Sequence, residues 1–143
     1  MLLRVHMSIT PAELDDLTEK IIGCAIEVHR VLGPGLLESV YQECMIIEMR
    51  RVGLRFESDR SVTIEYKGQR ISGGLKLDLL VEGCVVVELK AVERLHSIHV
   101  AQVITYLKLT GCPAGLLMNF NSPTLKAGLK RVDHPDRYVK KTI

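Results

Sequence analysis

The sequence predicts one mixed α/β domain, α+β-like, in which helices flank a central mixed sheet of four to five strands in the order ααββββαβα. Three observations lead there. Apolar residues recur at helical spacing from Pro11 to about Val52, the period drops to two between Val62 and Lys90, and a further helical stretch from about His96 precedes a short apolar run, Ala114 to Phe120. A chain of 143 residues with 47% hydrophobic content fits a single domain spanning 1–143, with 1–10 and 132–143 expected as flexible ends.

The first helix is read over Pro11–Leu32. Leu14, Leu17, Ile21, Ala25, Val28 and Leu32 form one stripe, while Thr10, Pro11 and Glu13 supply a cap, a first-turn proline and an early acid. Gly33-Pro34-Gly35 breaks it. A second helical pattern from Leu36 to about Val52 carries Leu37, Val40, Tyr41, Cys44, Met45 and Ile47 before Gly53 stops it. Val62, Ile64 and Tyr66 then alternate with polar residues, and Lys67-Gly68 turns the chain into a strand near Gln69 to Ser72. Leu75, Leu77, Leu79 and Val81 form the next alternation, and Glu82-Gly83 leads into Cys84–Lys90. After the helix from about His96 to Leu109, Gly111-Cys112-Pro113 intervenes. Ala114–Phe120 reads as a buried strand, parallel to its neighbour across the helical crossover, and Leu125–Leu129 as a final helix.

The hairpin around Glu82-Gly83 fixes its own register. A two-residue loop would set Leu77 opposite Glu88, whereas a three-residue loop, Glu82-Gly83-Cys84, pairs Leu77 with Leu89, Leu79 with Val87 and Val81 with Val85. The second keeps one face apolar, and a one-residue slip destroys that face. It also sets Asp78 directly opposite Glu88.

Composition restricts the function classes. With 19 Lys+Arg against 17 Asp+Glu the formal charge is only +2, so affinity for a polyanion has to come from local clustering. The densest cluster is C-terminal: Lys126, Lys130, Arg131, Arg137, Lys140 and Lys141 against Asp133 and Asp136, a candidate set of phosphate contacts. Cys24, Cys44, Cys84 and Cys112 lie far apart with no C-x-x-C pair, which points to reduced core thiols in a cytoplasmic protein rather than a disulfide framework or a zinc site. No apolar run reaches the roughly 18 residues of a membrane span, and Met1–His6 is too short for a signal-peptide core, so no membrane partner is expected. The small core and the placing of Ala114–Phe120 near an edge leave room for a homodimer.

Asp78, Glu88 and Lys90 share one face of two adjacent strands. Cross-strand neighbours have Cβ atoms about 4.5 to 5.5 Å apart, close enough for two carboxylates to repel unless a cation lies between them. Oxygen ligands of that kind suit Mg²⁺ or Mn²⁺, which keep water and accept phosphate oxygens. Lys90 would then sit beside the polarised water. The competing reading is a surface ion pair, Asp78 with Lys90 or Glu88 with Lys76, carrying no chemistry.

Asp78…Glu88-Leu89-Lys90 resembles the signature of the PD-(D/E)XK nuclease superfamily, and Gly35-Leu36-Leu37-Glu38-Ser39-Val40-Tyr41 resembles the motif of its GxxExxY family. The similarity runs from about Ile22 to Arg131 and includes VHRVLGPGLLESVYQE, DLLVEG, VVVELKAV, AQVITYLKLTG and GLLMNF. Leu77 stands where the superfamily's pattern has proline. The resemblance implies a restriction-endonuclease-like core and a set of roles. Asp78 and Glu88 are metal ligands, with the Leu89 carbonyl as a further one; Lys90 is the catalytic lysine, and Glu38 the helical acid that orients water or completes the metal shell. Gln102 and Tyr106 match a Gln-x-x-x-Tyr pattern and, with Tyr41, are the candidate substrate contacts. By their own spacing Gln102 and Tyr106 share a helical face, with His99 one turn before. Read without the family, Glu38 is a solvated helical acid, Tyr106 a half-buried helix residue and His29 a packed or capping histidine.

The function expected is a metal-dependent, nuclease-like enzyme that hydrolyses phosphodiester bonds by attack of an activated water, with Mg²⁺ or Mn²⁺ as cofactor and nucleic acid, DNA ahead of RNA, as partner. The alternative is a catalytically silent nucleic-acid- or protein-binding module that keeps the core for its shape.

Overall fold

In the computed structural model, which describes residues 9–136, the chain runs α1 (Pro11–Leu32), α2 (Glu38–Arg51), β1 (Phe56–Tyr66), β2 (Gln69–Val81), β3 (Val85–Lys90), α3 (Ser97–Thr110), β4 (Ala114–Asn119) and β5 (Leu129–Asp133). Helix α1 begins as its sequence dictates: Glu13 N–H donates to Thr10 Oγ1 at 3.1 Å and Thr10 N–H donates to Glu13 Oε1 at 3.0 Å, a reciprocal capping box. Helix α2 starts two residues later than the apolar pattern suggests, because Leu36 and Leu37 lie outside it and are exposed. Its buried stripe is Tyr41, Met45 and Met49, one residue per turn.

The five strands form one sheet in the order β1-β2-β3-β4-β5. Strands β1, β2 and β3 are antiparallel neighbours, β4 is parallel to β3 across the α3 crossover, and β5 is antiparallel to β4. Helices α1 and α2 cover one face around Leu79, Val81, Val85, Val87 and Leu89, and α3 covers the other around Leu80, Val86 and Leu117. Burial on both faces explains why β3 and β4 read as continuous apolar runs. Among the described residues no helix is long and apolar enough to cross a membrane. None of the four cysteines is in a disulfide; three are buried and Cys44 is half-buried.

The mixed α/β class and the flanked sheet hold, but the order becomes ααβββαββ. The two strands expected over Gln69–Ser72 and Leu75–Val81 are one, β2, with a register irregularity opposite Val62 and Ile64. Gly73-Gly74 is a bulge rather than a turn: a Cβ on Gly74 would lie 2.6 Å from the Val62 carbonyl oxygen, so only glycine fits. The expected final helix over Leu125–Leu129 shrinks to a 3₁₀ turn, Lys126–Gly128, followed by β5. Five residues are too few to sustain an α-helix, and a Cβ on Gly128 would collide with Asn119 O and Ser122 Oγ. Ala114–Asn119 lies between β3 and β5, not at an edge, which removes the edge-strand basis for a homodimer. Residues 1–8 and 137–143, most of the ends expected to be flexible, lie outside the described residues, as do Arg137, Lys140 and Lys141 of the basic cluster. Val132 and Asp133 belong to β5, and Arg131 is engaged by Asp15 and Asp133.

Candidate active site

The β2–β3 hairpin has the three-residue loop and its register: Leu79 opposes Val87, Leu80 opposes Val86 and Val81 opposes Val85. The paired ladder stops there. At the next step Asp78 N–H donates to Glu88 Oε1 at 3.1 Å and Leu89 N–H donates to Asp78 Oδ2 at 2.9 Å, so each carboxylate uses one oxygen to hold the opposite strand. From α2, Gln42 Nε2 donates to the Asp78 carbonyl at 3.1 Å and to Asp59 Oδ1 at 3.2 Å. The expected pairing of Leu77 with Leu89 is absent from the ladder. Leu89 faces α1 and α2, whereas Leu77 joins the cluster beneath α3 with Leu80. The alternation breaks at Asp78, beside Asp59, whose φ of 52° lies in the left-handed region.

Asp78 Oδ1 and Glu88 Oε2 accept no hydrogen bond from the described residues. Because no fully buried side-chain oxygen among those residues lacks a partner, both keep some access to solvent. In an extended strand the N–H and C=O of one residue point the same way, so the Leu89 carbonyl lies on the Asp78 edge. The Lys90 carbonyl points away and accepts from Phe120 N–H at 2.9 Å.

Burial drives the electrostatics. It raises the Asp78 pKa, against the Leu89 N–H and Lys90, while Glu38 and Asp59 push the same way as burial. Glu88, only 3% exposed, is pushed up to about 7, first by burial and then by the charge of Asp78. Among the described residues neither carboxylate forms an ion pair with Lys90 or Lys76, so the surface-pair reading finds no support. Lys90 Nζ instead donates to Gln102 Oε1 on α3 at 3.4 Å. Lys90 and Gln102 line a hollow of about 450 Å³ with Ile98, His99, Ala101 and Thr105.

Of the remaining expected residues, Glu38 is the first residue of α2 and reaches over the end of β3, its Oε2 accepting from Ala91 N–H at 3.4 Å. Tyr106 lies one turn from Gln102 but is 3% exposed, packed under the sheet with Val86 and Leu117. Its pKa is pushed up to about 12, by burial first and then by Glu88 and Asp78, so it lies within their field. Tyr41 does not reach the surface. It is fully buried, stacks on Phe120 at 4.6 Å, donates to the Gly33 carbonyl at 2.6 Å and accepts from Leu36 N–H at 3.2 Å. Its hydroxyl closes the turn that precedes Glu38, so the expected substrate contact finds no exposed surface at Tyr41. His29 is packed as expected, its Nε2 2.9 Å from the Ser122 carbonyl.

Two supporting residues escaped the sequence reading. Gln42 stands one turn after Glu38, so the shared helical face was a usable signal. Asn119 anchors the chain leaving Lys90: its Oδ1 accepts from Val92 N–H at 3.1 Å and its Nδ2 donates to the Val92 carbonyl at 2.9 Å. A polar residue closing an apolar strand was its only mark.

Two half-buried or buried carboxylates with one open oxygen each, and a backbone carbonyl on the same edge, fit a hard divalent cation. Among the described residues no three His, Cys, Asp or Glu side chains converge, so a cation held here would complete its shell with water or substrate oxygens. Compared with known families, residues 15–132 match the model of the PD-(D/E)XK nuclease superfamily, and the chain belongs to that superfamily. Neither the curated proteins nor the solved structures give a significant match. Proteins of this superfamily are usually nucleases and generally use divalent metals.

Proposed function

With membership of that superfamily as premise, we propose that the protein is a metal-dependent nuclease of the GxxExxY type, hydrolysing phosphodiester bonds in nucleic acid, DNA ahead of RNA, with Mg²⁺ or Mn²⁺. The observation that carries this is the strand-end pair: Asp78 and Glu88 each fix the other's backbone and leave one oxygen open, beside a lysine with no carboxylate partner among the described residues. A divalent ion at that pair would lower the pKa of a bound water and offset charge on the phosphate.

The chain's own groups do the rest. Asp78, Glu88 and the Leu89 carbonyl are the groups that would hold the cation. Lys90, steadied by Gln102, orients the attacking water and offsets negative charge as it develops. Glu38, over the end of β3, accepts a hydrogen bond from that water. Tyr106 supports the floor of the site from beneath.

The test is cleavage of plasmid, linear duplex, single-stranded DNA and RNA by the purified protein in Mg²⁺, Mn²⁺ or EDTA, with Lys90→Ala alongside. Cleavage that needs metal and disappears in Lys90→Ala supports the reading. Nucleic-acid binding with no cleavage of any substrate would favour the silent binding module.

A further inference from the structure

Strand β2 is much longer than the partner that carries the site. Of its 13 residues only Leu79–Val81 are laddered to β3, and the remaining ten, Gln69–Asp78, run past that ladder from the open end where the carboxylates lie. Because the bulge takes up two residues, about eight residues of β1 run alongside it, and at about 3.3 Å per residue the extension spans roughly 25 Å. It is paired to β1 up to Tyr66, and no described side chain beyond Val62 and before Leu77 is buried. The bulge at Val62/Ile64 re-aims this ribbon, and its tip is a tight turn with Lys67 and Gly68 at φ 48° and 79°. Two-stranded ribbons of this kind are marginal alone in water.

The ribbon's chemistry indicates what covers it. Lys67, Arg70 and Lys76 are exposed, with Glu65 as the opposing charge, and among the described residues none of the three cations is in an ion pair. Nearer the core, Arg60 is engaged by Glu57 at 2.7 Å and stays out of the set. Tyr66 is 61% exposed at the tip, with Lys67 Nζ 5.3 Å from its ring centroid, an aromatic face flanked by positive charge.

We infer that the β1–β2 ribbon is an arm that lies along a nucleic-acid duplex extending beyond the carboxylate pair. A major groove admits a two-stranded β-ribbon, and cations along its edge meet the phosphates. This rests on the nuclease reading and adds to it where the substrate runs and what sets its minimum length.

The experiment is fluorescence anisotropy of a labelled 30-base-pair DNA duplex in Ca²⁺ over a salt series, for wild type and for Lys67→Gln/Arg70→Gln/Lys76→Gln. With about 0.9 lost from the slope of log affinity against log salt per phosphate contact, the triple variant should show a slope shallower by about 2.7 and at least tenfold weaker binding at low salt. Its melting temperature should match wild type, because all three side chains are exposed. Lys67→Arg/Arg70→Lys/Lys76→Arg should restore the wild-type slope. A wild type that binds the duplex and a triple variant with unchanged slope and affinity would overturn the arm while leaving the nuclease reading intact. A wild type that fails to bind the duplex would also overturn the arm, and the nuclease reading would then rest on cleavage of single-stranded DNA and RNA.

Discussion

The two ends of the β2–β3 hairpin differ in how they treat charge. At the closed end Arg55 donates to Glu82 with its backbone N–H at 2.7 Å and its guanidinium at 3.0 and 3.1 Å, an exposed pair in which positive and negative charge balance. The intervening ladder is fully buried valine and leucine. At the open end two carboxylates take the place of the next ladder bonds, with Lys90 as the nearby cation. The closed end has the features of stability. The open end keeps like charges together under burial, an arrangement folding alone does not favour, and that is where chemistry is expected.

Substitutions at the two ends should therefore separate the two properties, with the largest effect at the open end. Asp78→Asn should lower cleavage by about 10²- to 10³-fold, the scale for losing a charge-stabilising group, while the metal-free protein melts no lower than wild type. The amide oxygen can still accept from Leu89 N–H, and the repulsion is gone. Val87→Ala on the fully buried ladder should do the reverse, costing about 2 kcal/mol in denaturant unfolding with turnover retained below the melting point.

The pH profile sharpens the same contrast. The folded-state pKa of Glu88, about 7, lies above its ordinary 4.5, so the folded protein binds that proton more tightly than the unfolded chain. This stabilisation is full below about pH 4.5 and is lost as pH rises through 7. Without metal, unfolding free energy should fall by roughly 1 to 3 kcal/mol between pH 4.5 and 8, and Glu88→Gln should flatten that slope. The smallest effect belongs to the closed end: Arg55→Ala should change stability by about 0.5 kcal/mol or less and leave cleavage unaltered, as expected for an exposed pair.

The hairpin register was legible because a slip by one residue would have moved Glu88 into the apolar face, so binary pattern alone decided it. The same pattern misled at Leu77, since alternation cannot report a strand that changes face at a kink. The two glycines between Ser72 and Leu75 interrupt the alternation, so one bulged strand read as two, and what marks the bulge is the Val62 carbonyl across the strand. Asp78, Glu88, Lys90, Glu38 and Gln102 come together from four elements, β2, β3, α2 and α3. Tyr41 belonged to the motif without belonging to the surface, because its hydroxyl closes the Gly33–Leu36 turn. Gln42 and Asn119 act through backbone atoms far away in sequence, so the face shared with Glu38 and the polar close of an apolar strand mark them without revealing their partners.

The central claim is that the open-end carboxylates are held together for a divalent cation, and thermal unfolding against Mn²⁺ concentration tests it most directly. Wild type should gain melting temperature with Mn²⁺, more at pH 7.5 than at pH 5 where protons compete for Glu88, and Asp78→Asn should show no gain at either pH. An Asp78→Asn protein stabilised by Mn²⁺ as strongly as wild type would place the metal elsewhere and contradict the account.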